Sequence, residues 1–345
     1  MISSESLIFR SFGDPLKVLE ISKVEVPKEP KEGQVLVQWI ASPINPLDIN
    51  KIQGAYAVRN ELPAIGGSEG VGRVVKVGRN VTKFKEGDHV TTFALGTVFW
   101  TEYCIVDEED LYKIDNRIDI AVAATFMINP PTAWIMLRDF VDLEKGDYVI
   151  QNAANSGVGR AVIELCAAWG IKTINIIRSR EDVGMLKTEL WKLGADHVFT
   201  EEEFAEMGKD LMKEIMHPPK LALNGVGGRS ALVISSTLAR GGTCVTYGGM
   251  SKKAHEFSTS GLVFNDIRIR GLAVTFWIKE GDNEEKFKKC FEELQNLAVI
   301  GKLTAPPMDR VRFTDHKEAI RKTMKGRNKK QLFIINESYR QNSKI

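Results

Sequence analysis

The stretch from residue 148 to 169 constrains the fold more than any other. A short apolar strand, Tyr148-Val149-Ile150, runs through a turn of small residues, 151–159, into a helix over about 157–169. A strand, a tight turn and a helix in that order open a parallel sheet. The alternation then continues: residues 173–177 read as a strand, 182–193 as a helix and 197–199 as a strand. Thr200, with Glu203 after it, makes a capping box, and Phe204, Met207, Leu211 and Ile215 follow at helical spacing. Residues 221–223, a helix over 230–238 and residues 244–247 extend the pattern. Residues 267–274 give the last strand signal, and 284–297 an amphipathic helix. This order implies a doubly wound parallel sheet with right-handed crossovers and helices on both faces.

Ahead of residue 147 the pattern differs. Short strands alternate with Gly and Pro punctuation; in 34–40, Val35, Val37 and Trp39 share one face, and 72–78 and 101–106 look similar. This predicts an antiparallel, barrel-like domain. Pro306-Pro307 marks a return, and strand and helix signals over 311–336 fit a tail that rejoins that first domain. A length of 345 residues is about twice the usual domain size, and 43 % hydrophobic with 27 % charged residues excludes a disordered or fibrous chain.

Basic and acidic residues number 47 and 45, a formal charge of +2, too small for a protein held on nucleic acid or a membrane surface by bulk electrostatics. The four cysteines, Cys104, Cys166, Cys244 and Cys290, lie far apart, which argues against a disulfide framework and a thiolate zinc site. The longest apolar candidate, 118–137, is broken by Asn129-Pro130-Pro131 and is no membrane span. The N-terminus lacks an apolar signal core and is not a long Arg-rich transit ramp.

In a doubly wound sheet a ligand sits at the carboxyl ends of the strands, where strand order reverses. The segment there is Gln151-Asn152-Ala153-Ala154-Asn155-Ser156-Gly157-Val158-Gly159. Small residues bring N–H groups and a helix N-terminus against a pyrophosphate, although Ala154 and Ser156 stand where G-x-G-x-x-G has its first two glycines. A plain tight turn would read the same way. An NAD site ends the next strand with an acid about 20 residues on. This chain has Arg178-Ser179-Arg180, which suits a ribose 2′-phosphate and so NADPH, or else forms a solvated loop pair. The turn at 240–250 brings more glycines to the same edge.

Further phrases carry a family resemblance. Gly67-Ser68-Glu69-Gly70-Val71-Gly72-Arg73-Val74, Val77-Gly78 and Lys85-Glu86-Gly87-Asp88-His89-Val90 resemble the medium-chain dehydrogenases/reductases. Within that superfamily the chain is most similar to the mitochondrial 2-enoyl thioester reductases. The phrases are Ser42-Pro43-Ile44-Asn45-Pro46-Leu47-Asp48-Ile49-Asn50, Gln53-Gly54-Ala55-Tyr56, Ile128-Asn129-Pro130-Pro131-Thr132-Ala133 and Thr246-Tyr247-Gly248-Gly249-Met250. One departure from the wider superfamily selects the chemistry. Zinc members take a metal ligand from the His of G-H-E, where this chain has Ser68, and the early cysteine ligand is missing. A catalytic zinc needs about three protein ligands, so no metal site is expected. Glu69 then reads as a structural hydrogen-bonding residue.

The resemblance implies an α/β chain with a GroES-like β-barrel catalytic domain, residues 1–131 with 305–345, and a Rossmann NADPH-binding domain, residues 132–304. It implies NADPH-dependent reduction of trans-2-enoyl thioesters, enoyl-CoA or enoyl-acyl carrier protein, in mitochondrial fatty acid synthesis. Tyr56 is the implied proton donor; apart from the resemblance it is a half-buried loop aromatic. Asn129 would contact the nicotinamide end, Asn155, Ser156, Gly157 and Val158 the pyrophosphate, and Arg178, Ser179 and Arg180 the adenosine phosphate. Tyr247, Gly248, Gly249 and Met250, with Leu272, Ala273 and Val274, would line the nicotinamide side, and Lys330 would hold a cofactor phosphate. The family commonly has tryptophan at the position of Ala273. The crowded Lys322, Lys325, Arg327, Lys329 and Lys330 suit coenzyme A or an acidic carrier protein, or form a solvated helix face. A homodimer in the mitochondrial matrix is implied, or the cytoplasm if this N-terminus is the native start. Two other readings stay open: a quinone or enone reductase of the same superfamily, and a non-enzymatic NADPH-binding protein.

Overall fold

In the computed structural model, residues 1–56, 58–93, 97–326 and 329–339 are described. The chain divides into two compact units, Met1–Ile128 with Ala305–Ile345, and Asn129–Thr304.

The first unit opens with β1 (Ile2–Phe9), α1 (Pro15–Val18) and β2 (Leu19–Val26). Then come β3 (Gln34–Pro43), α2 (Pro46–Ile52), β4 (Ala64–Ile65), β5 (Val71–Val77), β6 (His89–Thr92), β7 (Tyr103–Asp107), β8 (Leu111–Ile114) and α3 (Ile120–Ala124). β2, β1 and β4 make a three-stranded antiparallel sheet. β3 pairs with β5 along one edge and with β7 along part of the other, with register shifts at Leu36/Val37 and Trp39/Ala41. Such irregularities bend a strand and increase its twist, which lets one strand serve several partners. Val35, Val37 and Trp39 do share a core, with Trp39 4.5 Å from Phe99. Leu36 and Ile40 on the opposite face are buried as well, so period-two alternation undercounts the burial of this strand.

The second unit begins with α4 (Asn129–Arg138), which accepts Pro130 and Pro131 because first-turn N–H groups have no intrahelical acceptor. Six strands follow: β9 (Tyr148–Gln151), β10 (Lys172–Ile177), β11 (His197–Thr200), β12 (Leu221–Asn224), β13 (Thr243–Thr246) and β14 (Arg268–Gly271). Between and after them run α5 (Gly157–Trp169), α6 (Val183–Lys192), α7 (Glu201–Glu214), α8 (Gly228–Ser235), α9 (Thr259–Asn265), α10 (Val274–Trp277) and α11 (Asn283–Val299). The strand order is β11-β10-β9-β12-β13-β14, all parallel. Strand order reverses between β9 and β12, which is where a doubly wound sheet opens a crevice. The expected strand over 267–274 stops at Gly271, and Val274 opens α10 instead. Thr200 caps α7, with Glu203 bonded back to its N–H at 2.7 Å.

The tail returns to the first unit as β15 (Met308–Val311), α12 (His316–Lys325) and β16 (Lys330–Ile334). β16 continues the large sheet to the order β15-β16-β3-β5-β6-β8, with β7 also on β3. Phe333 seals it against Trp100 and Phe313, each ring 5.3 Å away. The pairing is antiparallel as expected except that β15 and β16 run parallel, and no closed ring of strands forms among the described residues. Among the described residues no helix is long and apolar enough to cross a membrane.

Candidate functional site

In the second unit, β9 delivers the turn 152–156 to the N-terminus of α5. Ser156 caps that helix by accepting from the Gly159 N–H at 3.1 Å, an interaction worth about 1 kcal/mol. The small residues of the turn are held there by contact. A Cβ on Gly159 would fall 2.6 Å from Ala154 O, and one on Gly157 would fall 2.7 Å from Asn129 Nδ2. Ala153 has φ +50°, a left-handed conformation that costs a side-chain-bearing residue about 1 kcal/mol. The other first-turn N–H groups of α5 have no intrahelical acceptor, which suits an anion.

Two buried polar atoms at this turn have no hydrogen-bond partner among the described residues, Asn129 Nδ2 and Tyr247 Oη. Burial pushes the Tyr247 phenol up to about 12, against the opposing pull of Ser156 beside it. The Tyr247 ring covers Gly225, where a Cβ would meet its Oη at 2.7 Å. A buried polar group left unpaired costs about 1–3 kcal/mol. Two of them beside one helix N-terminus fit a ligand rich in phosphate and hydroxyl oxygens. Asn155 is half-buried, with its carbonyl accepting from Arg160 Nε at 3.3 Å. Gly248 and Val274 are half-buried, whereas Gly249, Met250 and Ala273 are exposed. Leu272 is buried, its N–H bonded to Thr246 O at 2.9 Å.

The two arginines after β10 are not equivalent. Arg180 grips Asp182 through both Nε and Nη2, and that carboxyl lies below its ordinary range because of the guanidinium. Arg178 and Ser179 are exposed at the strand end, and Arg178 has no ion pair among the described residues.

In the first unit, α2 and β16 build a buried polar cluster. Glu69, wholly inaccessible, accepts from Asn45 Nδ2 at 2.8 Å and from the Ile128 N–H at 3.1 Å. Burial pushes its carboxyl up to about 7, with the Lys330 charge opposing. Lys330 Nζ donates to Asn45 Oδ1, and burial lowers its pKa while Glu69 and Asp48 raise it. Asp48, near the start of α2, accepts from the Asn45 N–H at 2.7 Å and from Ser68 Oγ at 2.6 Å; burial raises its pKa. Lys51 donates to Ser68 at 3.1 Å and is pushed down by burial. The Ser68 hydroxyl is therefore committed to a carboxylate and an ammonium. Among the described residues no group of three or more His, Cys, Asp or Glu side chains is placed to hold a metal ion.

Tyr56 is half-buried and follows α2 through a turn in which Gly54, at φ +70°, packs on Phe12. The basic tail is dispersed. Lys322 lies 3.7 Å from Asp309 and Lys330 sits in the cluster above, while Lys325 and Lys329 are exposed. Arg327 lies outside the described residues.

Residues missed by sequence reasoning are Asn152 and Asn224, which lie buried just where β9 and β12 end. The signal that points to them is the second glycine turn, Asn224-Gly225-Val226-Gly227-Gly228, between a strand and a helix.

Comparison with known proteins gives a consistent result. Residues 31–116 match the alcohol dehydrogenase GroES-like domain and residues 157–295 the zinc-binding dehydrogenase family. The mitochondrial enoyl-[acyl-carrier-protein] reductase of Caenorhabditis elegans is 63 % identical over 97 % of this chain and 96 % of its own length. Among solved structures, the mitochondrial 2-enoyl thioester reductase Etr1p/Etr2p heterodimer of Candida tropicalis superposes with a TM-score of 0.90 at 29 % identity, covering 97 % of this chain and all of that one. A complex of Etr1p with NADP and crotonyl-CoA superposes at 0.89 with 28 % identity, over 97 % of this chain and all of that one.

Proposed function

The chain belongs to the mitochondrial enoyl-[acyl-carrier-protein] reductase family of the medium-chain dehydrogenases/reductases, and from that premise we propose that it reduces trans-2-enoyl thioesters with NADPH. Its compartment is the mitochondrion, the one named for its relatives. The observation that carries the reading on this chain's own residues is the pair of unpartnered polar atoms, Asn129 Nδ2 and Tyr247 Oη, beside the N-terminus of α5.

NADPH, when bound, supplies a hydride for the β-carbon of the conjugated thioester. The chain's residues do the rest. Gly157 and Val158 offer N–H groups to the pyrophosphate, with Asn155 and Ser156 shaping the turn. Arg178 takes the 2′-phosphate, with Ser179 beside it and Arg180 supporting from its pair with Asp182. Asn129, Tyr247 to Met250 and Leu272 to Val274 line the nicotinamide side. Lys330, drawn from β16 and now shared by Asn45, Glu69 and Asp48, is assigned to a cofactor phosphate. Tyr56 gives its hydroxyl proton to the α-carbon, as an acid must while negative charge collects on the thioester oxygen. We assign residues 1–131 with 305–345 to the catalytic domain and 132–304 to cofactor binding.

Two partners complete the proposal. The enoyl group arrives on coenzyme A or on acyl carrier protein. A second copy of the chain pairs along β14, which among the described residues is bonded only to β13 and whose four residues are all exposed. Leu262, Val263 and Phe264 of α9, Ile269 of β14 and Phe276 of α10 are exposed in the same stretch of chain, Phe264 at 73 %. A free strand edge with exposed apolar residues around it suits burial against an identical edge. NADPH oxidation with a crotonyl or hexenoyl thioester, beside a quinone control, tests the activity. Turnover of the thioester alone is the expected result.

A further inference from the structure

We propose that Asn152 and Asn224 form a clasp that positions the cofactor-binding turn around Tyr247. The inference rests on the NADPH reading above and names residues that reading does not use.

β9 and β12 are adjacent parallel strands at the point where strand order reverses, so their ends border the crevice. Each strand is followed or ended by an asparagine that is almost wholly inaccessible. Asn152 Nδ2 donates to Asn224 Oδ1 at 2.8 Å and to Ser230 Oγ at 3.2 Å. Asn152 Oδ1 accepts from the Gly225 N–H at 2.8 Å. Asn224 Oδ1 also accepts from the N–H groups of Val226, at 3.2 Å, and Gly227, at 3.0 Å, while its Nδ2 donates to Thr246 Oγ1 at 3.1 Å. Every polar atom of both amides is used. A network satisfied in this way fixes one geometry, because any displacement leaves a buried group unpaired.

What it fixes is the seat of Tyr247. Gly225 lies under that ring, and the backbone bonds Tyr247 N–H to Asn224 O, at 3.0 Å, and Met250 N–H to Gly225 O, at 3.1 Å, hang the 247–250 turn from the clasp. Tyr247 Oη, unpartnered and close to Ser156, is then held at the height of the α5 N-terminus. Asn152 and Asn224 thus act through Tyr247, as positioning residues for NADPH affinity. Proton delivery does not depend on them.

The experiment measures NADPH binding by its fluorescence and steady-state kinetics for full-length Asn224→Ala and Asn152→Ala, each also in a Tyr247→Ala background. The clasp predicts an NADPH Kd and KM raised about tenfold or more, with kcat at saturating NADPH and the thioester KM within about twofold. In the Tyr247→Ala background the further loss falls below about threefold, since the group being positioned is gone. Asn152→Ala leaves three of the Asn224 bonds in place and so keeps the test open if Asn224→Ala does not fold. An unchanged Kd overturns the clasp, as does an equal loss with and without Tyr247. Binding is read without thioester, so a wild type that binds NADPH but fails to turn over defeats the enoyl-reductase reading and leaves this test standing. A wild type that binds no NADPH overturns both.

Discussion

Asn129 Nδ2 lies against Gly157 so closely that a Cβ there would come within 2.7 Å of it, and this nitrogen is buried without a hydrogen-bond partner among the described residues. The contact joins the first residue of α4 to the first residue of α5. Gly157→Ala therefore displaces the Asn129 amide or the turn itself, at an overpacking cost of about 1–3 kcal/mol. The NADPH KM should rise about tenfold or more, with the enoyl thioester KM little changed. Steady-state kinetics check this, and an unaltered NADPH KM would mean that neither group touches the cofactor.

Arg178 and Arg180 should separate on mutation, because only Arg180 has a carboxylate partner. Arg178→Ala removes a free guanidinium and should raise the NADPH KM by about ten- to a hundredfold, while the NADH KM stays within about twofold. Arg180→Ala should have the smaller effect. Equal effects of either change on both nucleotides would contradict the assignment of this strand end to the 2′-phosphate.

Glu164, buried in α5, accepts from the Thr304 N–H at 3.1 Å and from its hydroxyl at 2.5 Å. Burial pushes its carboxyl up to about 7 from 4.5, with Thr304 and Arg160 opposing. The folded state thus holds the proton more tightly than the unfolded chain. Its stabilising contribution is full below the unfolded value and is lost as pH rises through the folded one. Glu164→Gln cannot ionise, so its Tm relative to wild type should climb between about pH 5 and about pH 8. Thermal melts at the two pH values give the answer, and a constant difference would remove Glu164 from the pH dependence.

Ile269 stands on the exposed edge strand β14, five residues after the exposed Phe264 of α9. Ile269→Lys puts a charge into the proposed strand pairing, a common natural means of keeping sheet edges apart. Sedimentation should show wild-type dimers giving way to monomers. A wild type that is monomeric at working concentration would dispose of the interface.

Local signals made most of the second unit legible. Strand, small-residue turn and helix follow one another within a few residues, and the Thr200–Glu203 capping box is contained in one turn. The clasp escaped because its partners are 72 residues apart and asparagine carries no periodic signature. Sequence reading assigns Lys330 to a cofactor phosphate and counts it in the basic tail, but its bond to Asn45 could not be read there, since that partner is 285 residues away. Arg180 was different: Asp182, two residues on, was a local cue to its neutralisation. The end of β14 was obscured because residues 267–274 stay largely apolar or basic across the point where the last strand stops and α10 begins. The large sheet was legible in its pairing sense but not in its closure, since β3 serves three partners through bulges that alternation does not reveal.

If Tyr56 protonates the substrate that NADPH reduces, the comparison of wild type with Tyr56→Phe at saturating NADPH and crotonyl thioester shows it. Tyr56→Phe should lower kcat about a hundredfold or more, with the NADPH Kd unchanged within about twofold. A Tyr56→Phe enzyme with wild-type kcat would contradict it.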